Sequence, residues 1–231
     1  MKVLVGVIFL LTTLCNCWAA EDSKYNFTWL DPDKEVYVLQ NRKFRKDGKF
    51  SFSALGGITT SGAFADAKVA QFRAGYFFQE DWGIELLYSK NFSEVNDNYN
   101  AIRQSGTAAF VRKGVGYYGG MLKWSPFYAK INTFNKIFYF DWIFGLGIAS
   151  FTDENNMEEM RANPTQNWLE ETHTGIVWNT GLRFYVTEAW SVRMDLTTIH
   201  YEAIRYAKDE SDDQQTYFSN YDLLVGINYS L

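Results

Sequence analysis

The chain has 231 residues, a formal charge of −5, 47% hydrophobic and 18% aromatic residues, and only three prolines. This length suits one domain, and the aromatic share points to β-structure and membrane interfaces. Nucleic-acid binding has no support, because the one basic cluster, Arg42 to Lys49, falls on the side predicted below to be periplasmic.

Lys2, the apolar run Val3 to Leu11 and then Cys17-Trp18-Ala19 have the charged, apolar and small-residue regions of a secretory signal peptide, which predicts residues 1–19 as a signal cleaved after Ala19. Both cysteines, Cys15 and Cys17, lie in it. Removal leaves a mature chain without a thiol, which drops thiol catalysis, thiolate metal sites and disulfides. A lipidated Cys17 stays open, because Leu14 stands three before it, although Asn16 fits poorly where a small residue is needed.

Residues 20–48 read as an N-terminal periplasmic segment. Asp31-Pro32-Asp33 signals a turn, and Val36, Tyr37, Val38 and Leu39 form an apolar run. Arg42, Lys43, Phe44, Arg45 and Lys46 follow as a basic stretch. Together these form a docking segment aimed at the periplasmic rim or a partner, with a solvated tail as the alternative.

From Lys49 to the end, residues 49–231, period-two patterning predicts an all-β fold: an eight-stranded antiparallel transmembrane β-barrel. The strands are expected at 49–59, 68–78, 82–92, 115–124, 137–151, 174–186, 190–201 and 221–231. Residues 137–151, IFYFDWIFGLGIASF, carry the strongest signal. Phe138, Phe140, Trp142, Phe144, Leu146 and Ile148 form one apolar row, opposite Tyr139, Asp141, Gly145 and Gly147. A helical span needs about 20 apolar residues and a tilted barrel strand about 9–11, so this run crosses as a strand. A lone strand in hydrocarbon would leave its backbone unpaired, and the others must close around it. Between the fourth and fifth strands, residues 125–136 are expected to be a connector, with Pro126 ending the ladder because it has no N–H. The last segment, YDLLVGINYSL, ends on an apolar residue and looks like the C-terminal signal read during outer-membrane insertion.

Connections at Gln79, Ser125 and Thr187 are short or proline-bounded, whereas those at Thr60, Ser93, Thr152 and Ala203 are mostly long and polar. Short turns are periplasmic in outer-membrane barrels, so both termini are predicted on that side and the long loops outside. Trp82, Trp124, Trp190 and Tyr229 lie beside the short turns as membrane-interface aromatics. The inward parity collects Arg73, Glu85, Lys123, Asp141, Arg183, Arg193 and Asp195, which are expected to pair across a lumen too narrow for free charges.

The runs WLDPDKEVYVLQNRKFRKDG and WSPFYAKINTFNKIFYFDWIFGLG resemble small outer-membrane β-barrel proteins of gliding and predatory Gram-negative bacteria. The resemblance implies an eight-stranded barrel of small porin-like architecture and no catalytic residues.

No catalytic set, cofactor or metal site is predicted. His173 and His200 sit near the outer rim, where Glu171, Ser211 and Asp212 could approach them, but no spacing requires it. The stretch 152–173 holds Asp153, Glu154, Glu158, Glu159, Glu170 and Glu171 against Arg161, either as a solvated acidic loop or as a surface for divalent cations or a basic partner. The expected role is non-enzymatic: structural, envelope-anchoring or surface interaction. A small-solute channel or binding barrel is the alternative, and a lipid-modifying enzyme comes third. The expected partners are outer-membrane lipid, the barrel assembly machinery during insertion, and a periplasmic or surface protein.

Overall fold

The computed structural model describes residues 42–106, 109–133, 136–161, 168–206 and 214–231. The signal peptide and the run Val36, Tyr37, Val38 and Leu39 lie outside the described residues. Phe44–Leu231 forms one compact unit, and Arg42 and Lys43 fall N-terminal to it. Its strands are β1 (Lys49–Thr59), β2 (Ala65–Phe77), β3 (Trp82–Val95), β4 (Arg112–Thr133), β5 (Lys136–Asn155), β6 (Leu169–Tyr185), β7 (Trp190–Arg205) and β8 (Gln214–Ser230). They close in sequence order into an antiparallel barrel. The seam joins β1 to β8 from Ser51↔Ser230 to Thr59↔Asp222, so no sheet edge is left open in the ring.

Burial is inverted relative to a protein in water. Phe72, Leu86 and Ile148 point outward with 61%, 67% and 64% of their surface exposed, whereas Glu85 and Arg193 point inward at 2% and 0%. An apolar exterior of this extent is stable only against hydrocarbon. The connections 78–81 and 186–189 and the β4–β5 hairpin define one end of the barrel, the turn end. Here Trp82 stacks on Trp124 with centroids 6.0 Å apart, and Trp190 meets Tyr229 at 4.9 Å. The other end, the loop end, carries α1 (Asp97–Gln104) between β3 and β4 and α2 (Met157–Arg161) between β5 and β6.

Two differences from the sequence reading bear on the site. The strands reach further at the loop end, where β5 runs to Asn155 and β6 starts at Leu169. Asp153, Glu171 and His173 are therefore strand residues, with Asp153 opposite Glu171 and Phe151 opposite His173, rather than members of one long loop. Outside the apolar belt no hydrophobic row marks a strand, so the alternation there is invisible in sequence.

The second difference is at Pro126, which does not end the ladder. β4 continues with β5 to Thr133↔Lys136, and the register shifts between Trp124 and Phe127. Proline falls in that shift, where its missing N–H breaks no bond. Since β3 stops at Trp82↔Trp124, the β4–β5 hairpin projects past its neighbour at the turn end.

Candidate functional site in the barrel lumen

An eight-stranded ring encloses a lumen just wide enough for side chains to fill. Every second residue of every strand enters it, so the polar parity of the sequence becomes a stack of side-chain layers.

The middle layer is ionic. Glu85 accepts from Lys123 Nζ at 2.9 Å, from Arg193 Nη1 at 2.9 Å and from Arg73 Nη1 at 3.2 Å. Asp195 receives Arg193 Nε at 3.0 Å and lies 3.8 Å from Arg73. Neutral groups complete it: Arg193 donates to Ser53 Oγ at 3.0 Å, Arg73 to Thr197 Oγ1 at 2.8 Å, and Lys123 to Asn179 Oδ1 at 2.8 Å. Side chains from β1, β2, β3, β4, β6 and β7 thus join across the bore. Gly181 is part of the design, because a methyl group there would collide with the Asp195 carboxylate.

Toward the loop end the network continues through neutral donors. Arg73 Nε reaches Gln71 Oε1 at 2.7 Å, Gln71 donates to Tyr117 OH at 2.8 Å, and Tyr117 donates to Asp222 Oδ2 at 2.7 Å. Beside this chain Tyr117, Met121, Phe151, Val177, Ile199 and Tyr201 pack into an apolar layer. Period-two patterning puts Gln71, Tyr117, Asn179 and Thr197 on the inward faces of their strands, but the network expected from sequence counts charged residues alone and leaves these four out. Their inward parity was the available signal.

At the loop-end mouth Arg112 clamps three groups. Its Nη1 lies 2.6 Å from Asp153 Oδ2, 2.9 Å from Glu171 Oε2 and 3.3 Å from His173 Nε2. Asp153, Glu171 and His173 have the chemistry of a metal set, with ligand atoms within 4.8 Å of one another. The guanidinium already serves as their cation. Burial pushes the Asp153 carboxyl up from the usual range, and Arg112 pulls it back only in part.

Asp141 and Arg183, assigned to the central network by parity, stand apart from it. They face each other in register between β5 and β6, yet Asp141 Oδ2 takes Lys46 Nζ at 2.8 Å and the Tyr185 hydroxyl. Lys46, 3% exposed, enters the turn-end mouth and also donates to Ser125 Oγ at 2.7 Å. Phe44 follows it in, stacking on Tyr185 at 4.8 Å, and its N–H donates to Tyr128 OH at 3.4 Å. Arg45 stays outside on Glu80 at 3.2 Å. The basic stretch expected from sequence to dock at the rim thus divides, with Lys46 buried in the mouth and Arg45 on the surface.

Ser211 and Asp212 lie outside the described residues, and among the described residues His200 has no serine-activating geometry. Its Nε2 accepts from Trp178 Nε1 at 2.9 Å, and indole N–H is only a donor, so the neutral ring bears its proton on Nδ1. That nitrogen, 2.6 Å from Ser219 Oγ, then donates to the serine instead of removing its proton.

A closed eight-stranded ring, apolar outside and ionic inside, defines a transmembrane β-barrel. The chain belongs to the outer membrane protein beta-barrel domain family, whose model matches residues 38–230. The outer membrane is accordingly its location. Its fold is similar to that of Neisserial surface protein A, at 11% identity and a TM-score of 0.50, covering 79% of this chain and 97% of that one. It is also similar to the N-terminal barrel domain of Pseudomonas aeruginosa OprF (12%, TM-score 0.47, covering 80% and 98%). Escherichia coli outer membrane protein W matches at 15% and 0.44, covering 80% and 99%. These likenesses are of fold. No curated protein matches the chain in sequence.

Proposed function

We propose that the protein is a non-enzymatic, non-conducting outer-membrane barrel that anchors or presents contacts at the envelope, with its turn end in the periplasm and its loop end outside. The observation that carries this reading is the ionic layer: Arg73, Glu85, Lys123, Arg193 and Asp195 are each at most 3% exposed and bonded across the bore. Water or a solute would have to break those bonds to pass, and breaking a buried pair costs about 3–5 kcal/mol. The tautomer of His200 speaks against a serine-histidine hydrolase. The resemblance to barrels of gliding and predatory Gram-negative bacteria implies no catalytic residues, in keeping with a structural or interaction role in which the N-terminal segment is a periplasmic strap. Residues 1–19 act in this reading as the export signal, and the barrel assembly machinery inserts the strands.

Planar-bilayer recording of the purified protein tests the plug. No stable conductance steps are expected; large, reproducible steps from the unmodified protein would replace this reading with the solute-channel one. Protease added to intact cells tests the orientation. Cleavage is expected within 157–168 and not within 42–46, and the opposite pattern reverses the two ends.

A further inference from the structure

Among the described residues Asp141 is drawn to other partners and Arg183 forms no ion pair. Arg183 is 1% exposed, and its Nε and Nη2 have no hydrogen-bond partner among those residues. The guanidinium lies over the Phe77 ring at 5.5 Å, which orients it but accepts none of its N–H groups. A guanidinium has donors and no acceptor, so this is a buried cation with two of its nitrogens unmatched, although it also faces the Tyr185 hydroxyl.

The same place contains a second orphan. Ser51 Oγ, in a residue 3% exposed, also has no partner, and both side chains line a cavity of about 10 Å³ at the turn-end mouth. That volume is about what a single water-sized group needs. The charges around it do not balance. Arg45 is held by Glu80 and Lys46 by Asp141 Oδ2, while Asp141 Oδ1, on the residue opposite Arg183, has no partner among the described residues; of the other lining groups Arg183 and Lys49 stand against Glu188.

We infer that the turn-end mouth is a binding site for a carboxylate. The two unmatched nitrogens, Nε and Nη2, lie on one edge of the guanidinium, where a single carboxylate oxygen can accept a charge-assisted hydrogen bond from both. One carboxylate oxygen enters the cavity, between that edge and the Ser51 hydroxyl, while the rest of the ligand remains outside the mouth. A phosphate fits less well, since it brings further oxygens and a second negative charge to a space for one group beside Glu188. The site depends on Lys46: with its ammonium on Asp141, Arg183 is released for an external anion.

This inference is independent of the plugged-lumen reading, because the mouth lies outside the ionic layer. The full purified barrel in detergent is titrated at constant ionic strength with acetate, with a blocked peptide bearing one Asp side chain, and with chloride as control. Binding is read by ligand-observed NMR and by the melting temperature. Acetate or the peptide is expected to bind and raise the melting temperature, and chloride is not. Acetate binding assigns a free small carboxylate, and binding of the peptide alone assigns a protein-borne one. Arg183→Gln should abolish the response, and Ser51→Ala should weaken it about tenfold. Lys46→Met should abolish it with Arg183 still present, by freeing Asp141 to take the arginine opposite it. A wild-type barrel that answers to neither carboxylate, or equally to chloride, overturns the assignment. So does an undiminished response in either Arg183→Gln or Lys46→Met.

Discussion

Replacing Glu85 by Gln changes one oxygen to nitrogen and tests whether the lumen is held by charge or only by packing. Glu85 is 2% exposed and is shared by Lys123, Arg193 and Arg73. The substitution keeps the volume but removes that carboxylate, and turns part of its acceptor surface into an amide donor facing cations. Breaking a buried ion pair costs about 3–5 kcal/mol. The loss here falls at the lower end, about 3 kcal/mol, because Arg193 and Arg73 retain Asp195 and Lys123 retains Asn179. Such a loss lowers the folded-to-unfolded ratio roughly a hundredfold. Equilibrium urea unfolding in phospholipid vesicles, followed by tryptophan fluorescence, measures it. Adding Lys123→Met to Glu85→Gln removes one of the stranded cations and is expected to recover at least half of the loss. A single variant within about 0.5 kcal/mol of wild type, below the usual cost of a lost hydrogen bond, would refute the ionic account of the plug.

Phe44→Ala removes the ring stacked on Tyr185 and should free the strap. Trypsin, which is expected to spare the 3%-exposed Lys46 in the wild type, should then cut after it, whereas unchanged protection would mean that Lys46 alone holds the segment. Arg112→Ala deletes the cation among Asp153, Glu171 and His173, so micromolar Zn²⁺ is expected to raise the melting temperature of this variant and not that of the wild type. Gly181→Ala should displace the Asp195 carboxylate and cost about 1–3 kcal/mol by overpacking; an unaltered unfolding midpoint would show that the layer can shift to admit the methyl group.

The ring itself was legible because a lipid-facing wall forces an unbroken apolar row, and lipid is the same along every strand. The predicted β1 coincides with the observed Lys49–Thr59, and the inward charges of β2, β3, β4 and β7 meet one another. Where the wall leaves the belt, that signal disappears. Arg112, Asp153, Glu171 and His173 sit on strand ends that extend past the lipid, and the same alternation there reads as a polar loop.

The turn end was misread for a different reason, and it bears on how the barrel works. Parity places residues on a face but says nothing of competition between faces, and Asp141 has two cations within reach. Arg183 lies opposite it in register, yet Lys46, 95 positions away in sequence, makes the contact. A cross-strand pair is held close by the ladder on both sides, so an outside lysine can win only if it brings further contacts. Lys46 brings Ser125 for its own ammonium, and Phe44 adds a ring on Tyr185, the residue whose hydroxyl also binds Asp141. The strap is therefore coupled to the wall through one carboxylate: whatever withdraws Phe44 and Lys46 returns Asp141 to Arg183. A ligand that requires Arg183 free stabilises the inserted strap by the same linkage, and it must bind less tightly when the strap is removed.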